Sequence, residues 1–347
     1  MKKHLIAAAV AAAVAVPAAA QVSITGALEA GYISMKNADA TTQSAVSGNM
    51  WGTPHFRFTG TEDLGGGLKA SFFLNDNMRT DTSANGANFD DTFITLSGGF
   101  GAVQVGKFDV AGRDLGGVYR FMGDIGRLGA NMNPGGSDDV KTNNLQYTTP
   151  SIQGFTAAIS RSGGARTSSS AISQESTGIL LRGTFGGVSV AAMSQDFKAA
   201  TTGESSKAKG LGGAVTLGAT KVGLAFVGTT PPTAVSANKS EVTSVNVAHS
   251  LGGPITVGAS AAKYKTNGTA LKTDISTLAA KYDLSKRTFI AASYQQIKTP
   301  AAGGAEGMVV TTSTAATAVT ATRGLGVAAR TGGGTNSGYG ITIVHSF

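Results

Sequence analysis

The sequence predicts an all-β chain, a closed barrel of sixteen antiparallel strands that crosses a membrane with short turns at one end and long loops at the other. Three observations predict it. Segments of alternating polarity repeat along the chain, tight glycine-rich turns alternate strictly with longer polar stretches, and no apolar run after Gln21 reaches the length of a spanning helix. In lipid every backbone donor and acceptor must pair inside the protein, so a chain without spanning helices crosses only as a closed barrel.

The first element lies outside that barrel. Lys2 and Lys3 precede the apolar run Leu5 to Val16, and Pro17 is followed by Ala18, Ala19 and Ala20. A charged start, an apolar middle and small residues before a cut site describe a secretory signal peptide, with cleavage expected after Ala20. Residues 1–20 are therefore assigned to the leader and 21–347 to the barrel. A membrane anchor would need roughly 18–20 unbroken apolar residues, more than this run supplies.

The first strand begins at Gln21. Val22, Ile24, Leu28, Ala30 and Tyr32 share one parity, while Ser23, Thr25 and Glu29 share the other. Strand side chains alternate between faces, so one face is apolar and the other polar, which suits lipid outside and water inside. A half-buried strand of a soluble sandwich has the same alternation, and the rhythm of the whole chain separates the two. Short turns are expected at 62–67, 97–101, 150–154, 185–187, 217–220, 250–254 and 283–287. Longer connections are expected near 35–50, 75–88, 108–139, 162–175, 198–208, 229–240, 265–272 and 298–333. Seven short and eight long connections define sixteen strands. In the last of these Tyr339, Ile341, Ile343, His345 and Phe347 share a face, and pairing of this strand with the first closes the sheet and removes both edges.

Composition agrees and excludes alternatives. Glycine contributes 49 residues of 347, about twice its usual share of ~7%, and cysteine is absent, which rules out disulfides, zinc–thiolate sites and cysteine nucleophiles. The net charge of +8 falls by two once Lys2 and Lys3 leave with the leader, and no basic cluster with interleaved aromatics marks a nucleic-acid surface. His4, His55, His249 and His345 lack metal-ligand spacing, and no nucleophile elbow or neighbouring His–acid pair appears. Gly65–Gly67 and Gly98–Gly101 read as hairpin turns, because neither run opens a helix or ends in Lys-Ser/Thr. No cofactor, metal site or catalysis is expected.

Residues 56–74, Phe-Arg-Phe-Thr-Gly-Thr-Glu-Asp-Leu-Gly-Gly-Gly-Leu-Lys-Ala-Ser-Phe-Phe-Leu, resemble the second hairpin of the Gram-negative general porins in their beta-proteobacterial branch. Leu96 to Gly101 with Val103 to Lys107, Tyr147 to Phe155 and Tyr282 to Thr288 resemble later strands and turns in the family's order. The resemblance implies a water-filled outer-membrane channel for passive diffusion of small hydrophilic solutes and ions, with weak anion preference. It also implies a homotrimer in contact with outer-membrane lipid and lipopolysaccharide, reached through the barrel assembly machinery, with Phe347 as assembly signal. The family's third loop folds into the barrel, and 108–139 occupies its place. Constriction residues carried over on that basis are Arg57, Lys107 and Lys141 on the wall side and Asp114, Arg120, Asp124 and Arg127 on the loop. Asp90 stands where relatives place an Arg, which lowers the local positive charge. Two other readings remain open: a surface adhesin or structural barrel with a plugged lumen, and a solute-selective channel.

Overall fold

A computed structural model describes residues 21–37, 40–81, 89–112, 115, 118, 121–123, 143–163, 175–198, 205–230, 239–266, 272–299 and 334–347. Seventeen strands form one antiparallel sheet: β1 Gln21–Lys36, β2 Thr42–Ser47, β3 His55–Gly65, β4 Leu68–Asn77, β5 Asp91–Gly98, β6 Gly101–Lys107, β7 Asn144–Thr148, β8 Phe155–Ser162, β9 Glu175–Phe185, β10 Val188–Lys198, β11 Ser205–Leu217, β12 Thr220–Thr230, β13 Ser240–Ser250, β14 Ile255–Thr266, β15 Lys272–Asp283, β16 Thr288–Thr299 and β17 Gly334–Ser346. β1 pairs with both β2 and β3, each strand from β3 to β16 pairs with the next, and β17 pairs with β1 through ten register positions from Ala27↔Ser346 to Lys36↔Ser337, which closes the barrel.

The seven expected tight turns all fall between paired strands at one end. One expectation changes. The stretch 35–50, read as a long connection, contains β2, which pairs with Gly31–Lys36 of β1 while β3 pairs with Gln21–Ala27. β2 and β3 thus share one of sixteen positions around the barrel, interrupted by 48–54, which turns inward. The leader lies outside the described residues, and no helix among those described is long and apolar enough to cross a membrane.

Parity separates two environments. Val22, Ile24, Leu28, Tyr32, Ile94, Val105, Leu211, Leu224, Leu278, Tyr339, Ile341 and Ile343 stand exposed on the outer wall. Aromatic rings gather toward the turn end: Phe155 stacks on Phe185 at 5.8 Å, and the Tyr147 hydroxyl donates to the Phe100 carbonyl at 2.7 Å, as in the girdle of a membrane barrel. Phe347 completes the seam. Its N–H donates to the Gly26 carbonyl and its carbonyl accepts from the Gly26 N–H, both at 3.0 Å, and its ring occupies the space that a Cβ on Gly26 would need.

Candidate functional site: the lumen and its two inward segments

The inner wall of β8–β14 is built from small residues, and the described residues 108–112, 115, 118 and 121–123 lie on it. The Asn144 side-chain amide donates to the Phe108 carbonyl, and the Ala111 N–H donates to Ser160 Oγ at 2.6 Å. A Cβ on Gly178 would fall onto the Ala111 carbonyl oxygen, and one on Gly223 would meet the Val118 carbonyl, so only glycine lets the backbone approach this closely. The course continues over Gly212 and Gly258, which meet Val118 and Met122 respectively. Leu115 and Val118 pack with Ala191, Met193, Ala208, Ala214, Ala225 and Val227 in an apolar cluster inside the barrel. Burying a side chain of that size contributes about 1.5–3 kcal/mol, enough to hold a loop against the wall in water. The expected inward fold of the third loop is what these residues adopt, and the abundance of glycine has a physical reason here.

The second inward segment, 48–54, is held differently. Glu29 faces the lumen from β1, 2% exposed, and its carboxylate accepts the backbone N–H groups of Met50 at 2.7 Å, Trp51 at 2.6 Å and Gly52 at 3.1 Å, with the Thr342 hydroxyl at 3.0 Å. The Thr80 hydroxyl donates to the Glu29 carbonyl at 2.5 Å. Trp51 meets Phe289 of β16 edge to face at 5.0 Å, and Gly123, at the far end of the loop course, sits against Trp51. The two segments therefore touch across the lumen.

Charged side chains line the remaining interior. Arg57 lies on the inward parity of β3 in register with Asn75, which is in register with Asp91. Its Nε donates to Asn75 Oδ1 at 2.9 Å, Asn75 Nδ2 donates to Asp91 Oδ2 at 3.4 Å, and the guanidinium stands 5.7 Å from the Phe73 ring centroid. This ladder fixes the guanidinium plane. Lys69, Arg182, Lys221 and Lys281 occupy inward positions toward the turn end; Lys221 sits 4.5 Å from the Phe121 ring of the loop, and Lys281 pairs with Asp283 at 2.9 Å. A cavity of about 530 Å³ opens between Arg57, His55, Trp51, Phe289 and Gly123.

Of the residues expected at the constriction, Arg57 is placed in the lumen. Lys107 pairs with Thr92 at the loop end of β6, directly after Gly106 with its φ of +145°, and its Nζ donates to the Phe89 carbonyl at 2.5 Å. Asp114, Arg120, Asp124, Arg127 and Lys141 lie outside the described residues. The acid that bears on Arg57 is Asp91 rather than Asp90, whose N–H donates to the Asn75 carbonyl. Glu29, Trp51, Lys221 and Lys281 were missed as lumen residues; the polar parity of β1 marked Glu29 as inward, but its partners are backbone N–H groups, which carry no sequence signature.

Comparison with known proteins follows this architecture. Outer membrane porin protein 32 of Delftia acidovorans is 36% identical over 176 residues, covering 45% of this chain and 48% of that protein. Major outer membrane protein P.IB of Neisseria meningitidis serogroup B is 28% identical over 164 residues, covering 46% and 49%. The chain thus spans about half the length of the curated relatives it matches. Among solved structures, an anion-selective porin from Comamonas acidovorans superposes with a TM-score of 0.76 at 22% identity, over 94% of this chain and 100% of that one. The trimer form of in-vitro folded OmpT of Vibrio cholerae gives 0.66 at 13%, over 95% and 100%. The sequence profile described as Gram-negative porin matches residues 7–302, and with a closed sixteen-position barrel, an apolar outer wall and a loop laid along the lumen, the chain belongs to that family of outer-membrane proteins.

Proposed function

We propose that the protein is a passive outer-membrane channel for small hydrophilic solutes and ions, with weak anion preference, and that it assembles as a homotrimer. The observation that carries the reading is the lumen itself: a closed wall narrowed by a loop on one side, with inward Arg57, Lys69, Arg182, Lys221 and Lys281 facing the remaining space. Low-dielectric walls focus the field of such charges, and fixed side-chain charges bias ions without a tight site. Asp63, Asp91 and Asp283 oppose them, which keeps the expected preference weak. The anion-selective porin of Comamonas acidovorans, similar in fold, supports the sign.

Arg57 is the wall member of the proposed constriction, opposite Asp114, Arg120, Asp124 and Arg127 of the loop, with Lys141 on the wall side. Trimer formation is supported by the trimeric Vibrio cholerae relative in fold and by strand length. β7 has 5 residues and β6 has 7, short of the roughly 9–11 that cross a bilayer, so a neighbouring copy shields that low arc from lipid.

Planar-bilayer recordings test the channel: stepwise currents are expected, and a reversal potential under a salt gradient should report anions. A cation-selective sign overturns the preference, and absence of current overturns the channel. Arg57→Ser should shift the reversal potential toward cations; no shift removes Arg57 from the constriction.

A further inference from the structure

We propose that the cavity beside the 48–54 segment is a binding site for small aromatic carboxylates, so that the channel favours benzoate-sized anions over aliphatic anions of equal charge. The inference rests on the channel reading and names a solute class for it. The cavity, about 530 Å³, lies in the range of small-molecule sites and brings two chemistries together.

The first is a cationic fork with open positions. Arg57 commits Nε to Asn75, and among the described residues no protein acceptor takes its two terminal nitrogens. A guanidinium fixed in plane, with two parallel donors open, matches a carboxylate in bidentate geometry. His55 donates its Nδ1–H to the Thr53 carbonyl at 2.8 Å, so its neutral ring offers Nε2 only as an acceptor and the carboxylate is held by Arg57 alone. Glu29 also lines the cavity, but its oxygens are taken up by three backbone N–H groups and a hydroxyl, so its charge is dispersed into those bonds.

The second is an aromatic shelf. Trp51 is the chain's single tryptophan, and its indole meets Phe289 at 5.0 Å and 64°. The indole is half-buried, packed with Phe289 against the cluster that includes Met50 and Ala291, and Glu29 holds the Trp51 backbone N–H at 2.6 Å, so the ring is fixed in place where it borders the cavity. Offset or edge contact with a third ring continues the pair already present. A benzoate-sized anion places its carboxylate on Arg57 and its ring on Trp51 and Phe289; acetate reaches only Arg57.

Because Trp51 is the only indole, its fluorescence in the folded full-length protein reports occupancy directly. Titration with sodium benzoate should change the emission at concentrations about tenfold lower than sodium acetate, equivalent to about 1.4 kcal/mol. Benzyl alcohol, a ring without charge, should resemble acetate. In bilayers, benzoate should reduce the chloride current where acetate does not. Phe289→Leu, which leaves Trp51 and its Glu29 anchor in place, should bring benzoate and acetate together while chloride conductance persists, and Trp51→Leu should do the same in the current assay. Equal responses to benzoate and acetate in the unaltered protein, or discrimination that survives Phe289→Leu, overturn the proposal. Loss of all current with benzoate binding intact by fluorescence overturns the channel reading instead.

Discussion

The segment 48–54 and the described residues of the third loop, 108–112, 115, 118 and 121–123, both leave the wall and enter the lumen, and they are held there by opposite means. The first hangs on one carboxylate, Glu29, which accepts three consecutive backbone N–H groups. The second lies along a course of inward glycines and alanines, with Leu115 and Val118 buried against them and Ser160 supplying one hydrogen bond. A charged acceptor concentrates the holding energy in one residue; close packing spreads it over many. The polar attachment should therefore fail at a single point, and the packed one should yield only where backbone meets backbone.

The largest effect is expected for Glu29→Ala. Removing the acceptor orphans the N–H groups of Met50, Trp51 and Gly52, and hydrogen bonds to a charged group contribute about 1.5–3 kcal/mol each net of exchange with water. Because the released segment can rehydrate its N–H groups in the lumen, the folded barrel should lose about 3 kcal/mol in denaturant unfolding. Trp51 emission should shift to that of a water-exposed indole, and an unshifted spectrum would show that the segment is held by other contacts. Gly178→Val should come next, at roughly 1–3 kcal/mol, because overpacking at a backbone contact forces the loop off the wall. Its signature is a larger single-channel conductance, and an unchanged conductance would place the Ala111 backbone elsewhere. Ser160→Ala should cost only about 1 kcal/mol and leave conductance unchanged, since the packed course holds the loop without that bond.

The same contrast explains what was legible in the sequence. Alternation along strands and the turn residues at Gly65–Gly67, Gly98–Gly101 and Gly252–Pro254 are local signals, and they placed every short turn and the closing pair β1–β17. Arg57 was legible because Phe56 and Phe58 fix its parity. β2 was hidden because Thr42–Ser47 is short and the chain leaves the wall directly after it. Glu29 read as an inward polar residue and no more, since a carboxylate bound by backbone N–H groups has partners without side-chain identity. The glycines under the loop looked like turn or wall glycines until the loop's course was known.

The smallest expected effect is a dependence on pH confined to the polar attachment. Asp81, just beyond β4, buttresses the start of 48–54 by accepting the Gly48 N–H, and it pairs with Arg79 at 2.8 Å. Burial alone would raise its pKa, but the Arg79 hydrogen bonds and charge together with the Gly48 N–H outweigh it, and the carboxyl is held below the usual aspartate range. A depressed folded-state pKa means that the stabilisation is fully present above the unfolded value near 3.9 and disappears as pH falls through the folded value. Arg79 is partly exposed, so the contribution is at most about 1 kcal/mol. The decisive quantity is the stability difference between the unaltered protein and Asp81→Asn, because other carboxylates, Glu29 among them, titrate alike in both. That difference should be constant from neutral pH to about pH 5 and shrink toward zero below pH 3, since the ionised form is what Asn cannot imitate. A difference that persists at pH 2 would show that Asp81 acts through shape and neutral hydrogen bonding, and the attachment of 48–54 would then be insensitive to charge at this end, like the packing of Leu115 and Val118.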